Sequence, residues 1–118
     1  MCSILLVEDH PDTRHVLTIL LRQWGHEVAV AEGVASALVL AKSTRYDAIV
    51  SDIGLPDGDG YEFVQEVKDT PSHRALRVAL TAYTSDRDRA RAKIAGYHHF
   101  FDKPVDVEQL RALLLTVL

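Results

Sequence analysis

Apolar residues along this chain fall into short unbroken runs, and between the runs they recur every three or four positions. Those are the two periods of buried strands and amphipathic helices. Ser3-Ile4-Leu5-Leu6-Val7 reads as a parallel strand buried on both faces, and it stops abruptly at Glu8-Asp9. From about Asp12 to Trp24, the residues Leu17, Leu20, Leu21 and Trp24 keep helical spacing, and Gly25 supplies a helix stop. A second strand around Val28 and Val30 leads to a helix that follows Gly33, carries Leu38 and Ala41 and ends near Ser43. Asp47-Ala48-Ile49-Val50-Ser51 is another buried run that ends on a carboxylate, Asp52, ahead of the turn-rich Gly54-Leu55-Pro56-Asp57-Gly58-Asp59-Gly60. Tyr61 to about Asp69 puts Phe63, Val64 and Val67 on one helical face before Pro71-Ser72 breaks it, and Val78-Ala79-Leu80 forms a fourth strand ending at Thr81. Ser85 with Asp88 opens a short basic helix that Gly96 stops, and His99-Phe100-Phe101 makes a fifth strand ending at Lys103-Pro104. Val107, Leu110, Leu113, Leu114 and Val117 stripe the last helix.

Strands that alternate with helices predict an α/β fold: one parallel sheet, right-handed crossovers and helices on both faces, with function in the crevice beyond the strands' carboxyl ends. Glu8 and Asp9 from the first strand, Asp52 from the third, Thr81 from the fourth and Lys103 from the fifth converge on that edge. Three carboxylates in one place raise each other's pKa values unless a cation neutralises them, and hard oxygen ligands suit Mg²⁺. With an ion in place one carboxylate is left as a nucleophile towards phosphorus, and a lysine and a threonine hydroxyl can bind the oxygens of the transferred group.

Composition narrows the partners. With 118 residues, of which 47% are hydrophobic and 25% charged, the chain suits a single domain spanning 1–118 with its own core. Its net charge of −4 opposes phosphate-backbone binding, so no direct nucleic-acid partner is expected. No apolar run nears the length of a membrane span and no signal peptide pattern precedes the first strand. A lone cysteine, Cys2, fits a reducing compartment, and it reads as a terminal bystander in a cytoplasmic protein. The acidic loop from Asp57 to Gly60 is no EF-hand, because Tyr61 stands where an oxygen ligand is required. The pair His98-His99 would point to opposite faces of a strand, which argues against a shared metal.

Four separated motifs now stand in order: Ile4-Leu5-Leu6-Val7-Glu8-Asp9, Asp47 to Pro56 followed by Asp57-Gly58-Asp59-Gly60, Leu80-Thr81-Ala82, and Phe100-Phe101-Asp102-Lys103-Pro104. Over essentially its whole length the chain resembles the receiver domain of two-component response regulators. The resemblance implies a flavodoxin-like, doubly wound five-stranded parallel sheet of order 2-1-3-4-5 with five helices, a three-layer sandwich. It implies that Asp52 accepts a phosphoryl group from a phosphohistidine of a histidine kinase or histidine phosphotransfer domain. It further implies that Asp9, Asp52 and the backbone carbonyl of Gly54 ligate Mg²⁺ directly, with Glu8 assisting through water, and that Lys103 pairs with the phosphoryl oxygens. Thr81 and Phe100 would be the switch pair, Pro104 would follow a cis bond, and the fourth helix, fifth strand and fifth helix would form the surface that partners read. That surface also allows a homodimer.

Some positions depart from the commonest pattern. Phe100 replaces a frequent tyrosine and has no hydroxyl to offer. Gly54 brings no side chain to orient a water and Tyr83 stands where it can shield phosphorus, so the resemblance implies a long-lived phosphoaspartate. Such a domain turns over no free substrate. The competing readings are a phosphorylation-independent interaction module of the same fold and an aspartyl-phosphate hydrolase, which usually has a second acid where Gly54 stands. The chain reads equally as a stand-alone receiver or as one domain of a longer protein with its own output, and Ala79 to Tyr83 with Lys103 to Asp106 lean towards a hybrid histidine kinase.

Overall fold

The computed structural model describes residues 2–82 and 85–117. Strands and helices alternate as β1 (Ser3–Val7), α1 (Pro11–Gln23), β2 (Glu27–Ala31), α2 (Val34–Ser43), β3 (Ala48–Asp52), α3 (Gly60–Val67), β4 (Leu76–Thr81), α4 (Asp86–Ala95), β5 (His99–Asp102) and α5 (Val107–Leu115). The five strands pair in parallel in the order 2-1-3-4-5. One small element was not expected. Gly54–Leu55 and Gly58–Asp59 form a two-residue antiparallel ladder that folds the loop after Asp52 into a hairpin.

Four of the five helices begin where the residue just ahead of them offers a side-chain acceptor for the first free amides. Ser85 caps α4 through Asp88 N, Asp59 caps α3 through Glu62 N, and Asp106 caps α5 through the amides of Glu108 and Gln109. His10 caps α1 with its ring nitrogen, and Pro11 occupies the first helical position, where no amide is needed. β4 starts at Leu76, two residues before the apolar run, because its backbone continues the pairing with Ala48 and Ile49.

Successive side chains of a strand point to opposite faces, and the core divides accordingly. Ile4, Leu6, Val50, Val78 and Leu80 pack against Leu17 and Leu21 of α1 and Leu110 and Leu114 of α5. Leu5, Val7 and Ile49 pack against Ala37 and Ala41 of α2 and Phe63 and Val67 of α3, while Ala79 meets Val64, Ala92 and Tyr97 under α4. This is the three-layer arrangement. Cys2 is no bystander: at 2% exposure it sits in the α1–α5 core, and its amide donates to Nδ1 of His26. Burial holds its thiol above the ordinary cysteine pKa, as expected of an inert core sulfur.

Candidate functional site

Ending four strands on polar residues brings those residues together at one edge. Glu8 follows β1, Asp52 ends β3, Thr81 ends β4 opposite Asp102, and Lys103 follows β5. The Lys103 amide donates to the Thr81 carbonyl at 2.9 Å, and the Lys103–Pro104 bond is cis. Carboxylate oxygens of Glu8, Asp9 and Asp52 all lie within 4.8 Å of one another. The Lys103 ammonium bridges two of them, donating to Glu8 Oε1 at 2.6 Å and to Asp52 Oδ2 at 2.8 Å. Bonds to ionised partners at this length are the strong kind.

Neighbouring acids differ sharply in environment. Glu8 is wholly buried, whereas Asp9 is exposed. The Arg14 guanidinium donates to the carbonyls of both residues, at 3.2 and 3.3 Å, and fixes the turn between β1 and α1. Burial pushes the Glu8 carboxyl above the usual range; the Lys103 bond opposes this and the neighbouring Asp52 adds to it. Burial also works against the charge of Lys103, but its bonds to Asp52 and Glu8 win and hold its pKa above the ordinary lysine value.

Asp52 is largely buried, with its edge facing the cleft. Its Oδ1 accepts from the Gly54 amide at 3.3 Å, so the hairpin starts on the Asp52 side chain itself. The hairpin closes at Gly60, whose amide donates to the Ile53 carbonyl and whose carbonyl accepts from the buried Tyr97 hydroxyl, each at 2.8 Å. A side chain at Gly60 would force the backbone to shift: a Cβ there would come within 2.6 Å of the Asp52 carbonyl oxygen. Tyr97 had no signal in the sequence that marked it as part of this support.

Thr81 lies at the same edge at 1% exposure. Phe100 on β5 is half-buried, with the Arg89 guanidinium 4.8 Å from its ring centre and paired to Asp102 at 2.7 Å. Tyr83 lies outside the described residues. An apolar groove of about 610 Å³ opens beside Lys103 and runs along Asp12, Val16, Pro104 and Val107. The donor set suits a hard divalent cation: oxygens of three carboxylates converge at the mouth of the cleft, and their mutual repulsion is what a bound cation would relieve.

The family model for the response regulator receiver domain matches residues 4–115. The chain belongs to that family. The receiver domain of a sensor histidine kinase from Pseudomonas aeruginosa, solved with magnesium coordinated in its active site cleft, is 34% identical; the match covers 98% of this chain and 95% of that one at a TM-score of 0.89. The chemotaxis response regulator CheY4 of Vibrio cholerae is 31% identical over 100% of this chain and 99% of its own, at a TM-score of 0.91. The transcriptional regulator KdpE of Escherichia coli is 32% identical over the whole chain, which spans 52% of that protein. The expected fold is therefore the observed one, and this receiver domain takes its place in two-component signal transduction. Among the described residues no helix is long and apolar enough to cross a membrane.

Proposed function

We propose that residues 1–118 form one receiver unit in which Asp52 accepts a phosphoryl group from a phosphohistidine of a kinase or phosphotransfer partner. The observation that carries this reading is the Lys103 ammonium held on Asp52 Oδ2 beside the buried Glu8. An Asp52 oxygen forms the new bond to phosphorus, the phosphorus–nitrogen bond breaks, and the departing imidazole takes a proton. Asp9, Asp52 and the Gly54 carbonyl would hold Mg²⁺, with Glu8 assisting, and the bound ion would neutralise charge on the transferring group. Lys103 and Thr81 bind the phosphoryl oxygens. The domain performs this acceptance and a slow hydrolysis, and no turnover of a free substrate.

The groove beside Lys103 supports an approach for the donor protein, since it adjoins the acceptor and exposes Val16 on its α1 wall. On the other side, the half-buried Phe100 under Arg89 supports β5 as the moving part of the switch. Reorientation of Thr81 towards the phosphoryl group and of Phe100 inwards would reshape the α4–β5–α5 face that an output domain, a partner or a second copy reads. Such signalling belongs to the cytoplasm. Reduction of the phosphorylated protein with borohydride, followed by peptide mapping, tests the assignment. Conversion at Asp52 supports it, and conversion at Asp9 or Glu8 instead would overturn it.

A further inference from the structure

The loop that leaves Asp52 is fastened at its far end to a helix that has no part in the cleft. α2 is preceded by Gly33, which has no side chain to cap it. Its free amides are taken by Asp57 instead, a residue 23 positions away at the tip of the hairpin: Val34 N donates to Oδ1 at 2.7 Å and Ala35 N to Oδ2 at 3.0 Å. Two glycines make room for this clamp. A Cβ on Gly33 would stand 2.5 Å from Asp57 Oδ1, and Gly58, at φ 158°, would bring a Cβ within 3.1 Å of the Val34 side chain. These two bonds hold the Asp57 carboxyl below the usual range, so the carboxylate is the form that clamps.

Tip and base of the hairpin are mechanically one piece. Leu55 pairs with Gly58 and Gly54 with Asp59, and the Gly54 amide rests on Asp52 Oδ1. The geometry points to Asp57 as a positioning residue for the cation: by pinning the hairpin tip to α2 it fixes where the Gly54 carbonyl stands. This inference rests on the metal reading of the cleft. Because coupling between sites is reciprocal, a cation in the cleft tightens the clamp by the factor by which the clamp tightens the cation.

Calorimetric Mg²⁺ titration of the whole chain tests it, with Asp57→Ala, Gly33→Ala and the double variant beside the unaltered protein. Outer-shell supports of metal sites typically contribute ten- to a hundredfold in affinity, and a backbone ligand held through a short ladder should lie at or below that range. Asp57→Ala and Gly33→Ala are each expected to weaken Mg²⁺ binding about three- to tenfold, with no further loss in the double variant. In the unaltered protein, saturating Mg²⁺ should slow hydrogen exchange at the Val34 and Ala35 amides by a like factor. Gly33→Ala keeps the charge of Asp57 and breaks only the clamp. Weakening confined to Asp57→Ala would therefore mean simple charge attraction and overturn the inference. So would Mg²⁺ affinities equal across all four proteins once exchange at Val34 shows the clamp broken. Absence of Mg²⁺ binding to the unaltered chain would sink the metal reading itself and this inference with it, a result distinct from equal binding.

Discussion

Replacing Glu8 by Gln removes one charge from the cleft while keeping an oxygen that can accept from Lys103. The Glu8 charge faces two acids, Asp9 and Asp52, whose repulsion the single nearby ammonium largely offsets, so what remains uncompensated is the burial of the charge itself. At an effective dielectric constant of about 20 each acid at 4.8 Å repels Glu8 by about 3.5 kcal/mol and Lys103 at 2.6 Å attracts it by about 6.4 kcal/mol, a near balance that leaves the penalty of burying the carboxylate, up to several kcal/mol, to set the sign. Since the cleft opens to solvent at Asp9, we expect Glu8→Gln to stabilise the cation-free protein at neutral pH by about 1–3 kcal/mol. A domain of this size converts that into about 4–12 °C in Tm. The pH dependence follows from the raised Glu8 carboxyl. The folded state holds this proton more tightly than the unfolded one, so stability is greatest below the ordinary glutamate range and falls as pH rises through the raised value. In Glu8→Gln that slope disappears. His26 and His98, whose pKa values burial lowers, titrate in both proteins and cancel in the difference. Thermal unfolding in chelator from pH 4 to pH 8 reads the effect, and Mg²⁺ should then raise the Tm of the unaltered protein more than that of the variant. If Glu8→Gln melts below the unaltered protein in chelator at neutral pH, with the same slope against pH, the buried charge is net stabilising and the reasoning fails.

Three further outcomes are expected. Gly60→Ala places a methyl against the Asp52 carbonyl and the Tyr97 hydroxyl, and chemical denaturation should show a loss of about 1–3 kcal/mol. Ser72→Ala leaves the buried Tyr46 amide without its 3.1 Å acceptor and the Thr44 carbonyl without its donor, a loss of about 1–3 kcal/mol by the same measurement. A phosphoaspartate in a cleft where Gly54 has no side chain to orient a water should decay slowly in a dephosphorylation time course, and decay that is fast and no slower than in a variant given an amide there, Gly54→Asn, would refute this.

The strands and their carboxyl ends were legible because each buried run is apolar until it nears the cleft, as at Val7-Glu8 and at Val50, two residues before Asp52. The helix start at Ser85 was equally local, one side chain serving an amide three residues on. What stayed hidden depends on contacts between distant segments. Asp57 looks like any turn residue until α2 is laid beside it, and Gly33 looks like a helix opener when it is in fact the space for that carboxylate. β2 shows no alternation in its burial, since Val28, Ala29 and Val30 of this edge strand are all half-buried. The unlike fates of Glu8 and Asp9 could be foreseen only as adjacency, because burial of one and exposure of the other is set by β2, α1 and Lys103 together.

The most direct test of the account is the intact mass of the chain after incubation with acetyl phosphate, with and without Mg²⁺, for the unaltered protein and for Asp52→Asn. A gain of one phosphoryl group that requires Mg²⁺ and vanishes in Asp52→Asn is the expected result. A folded chain that gains nothing under any condition would contradict it and leave an interaction module that keeps the acceptor's geometry without its chemistry.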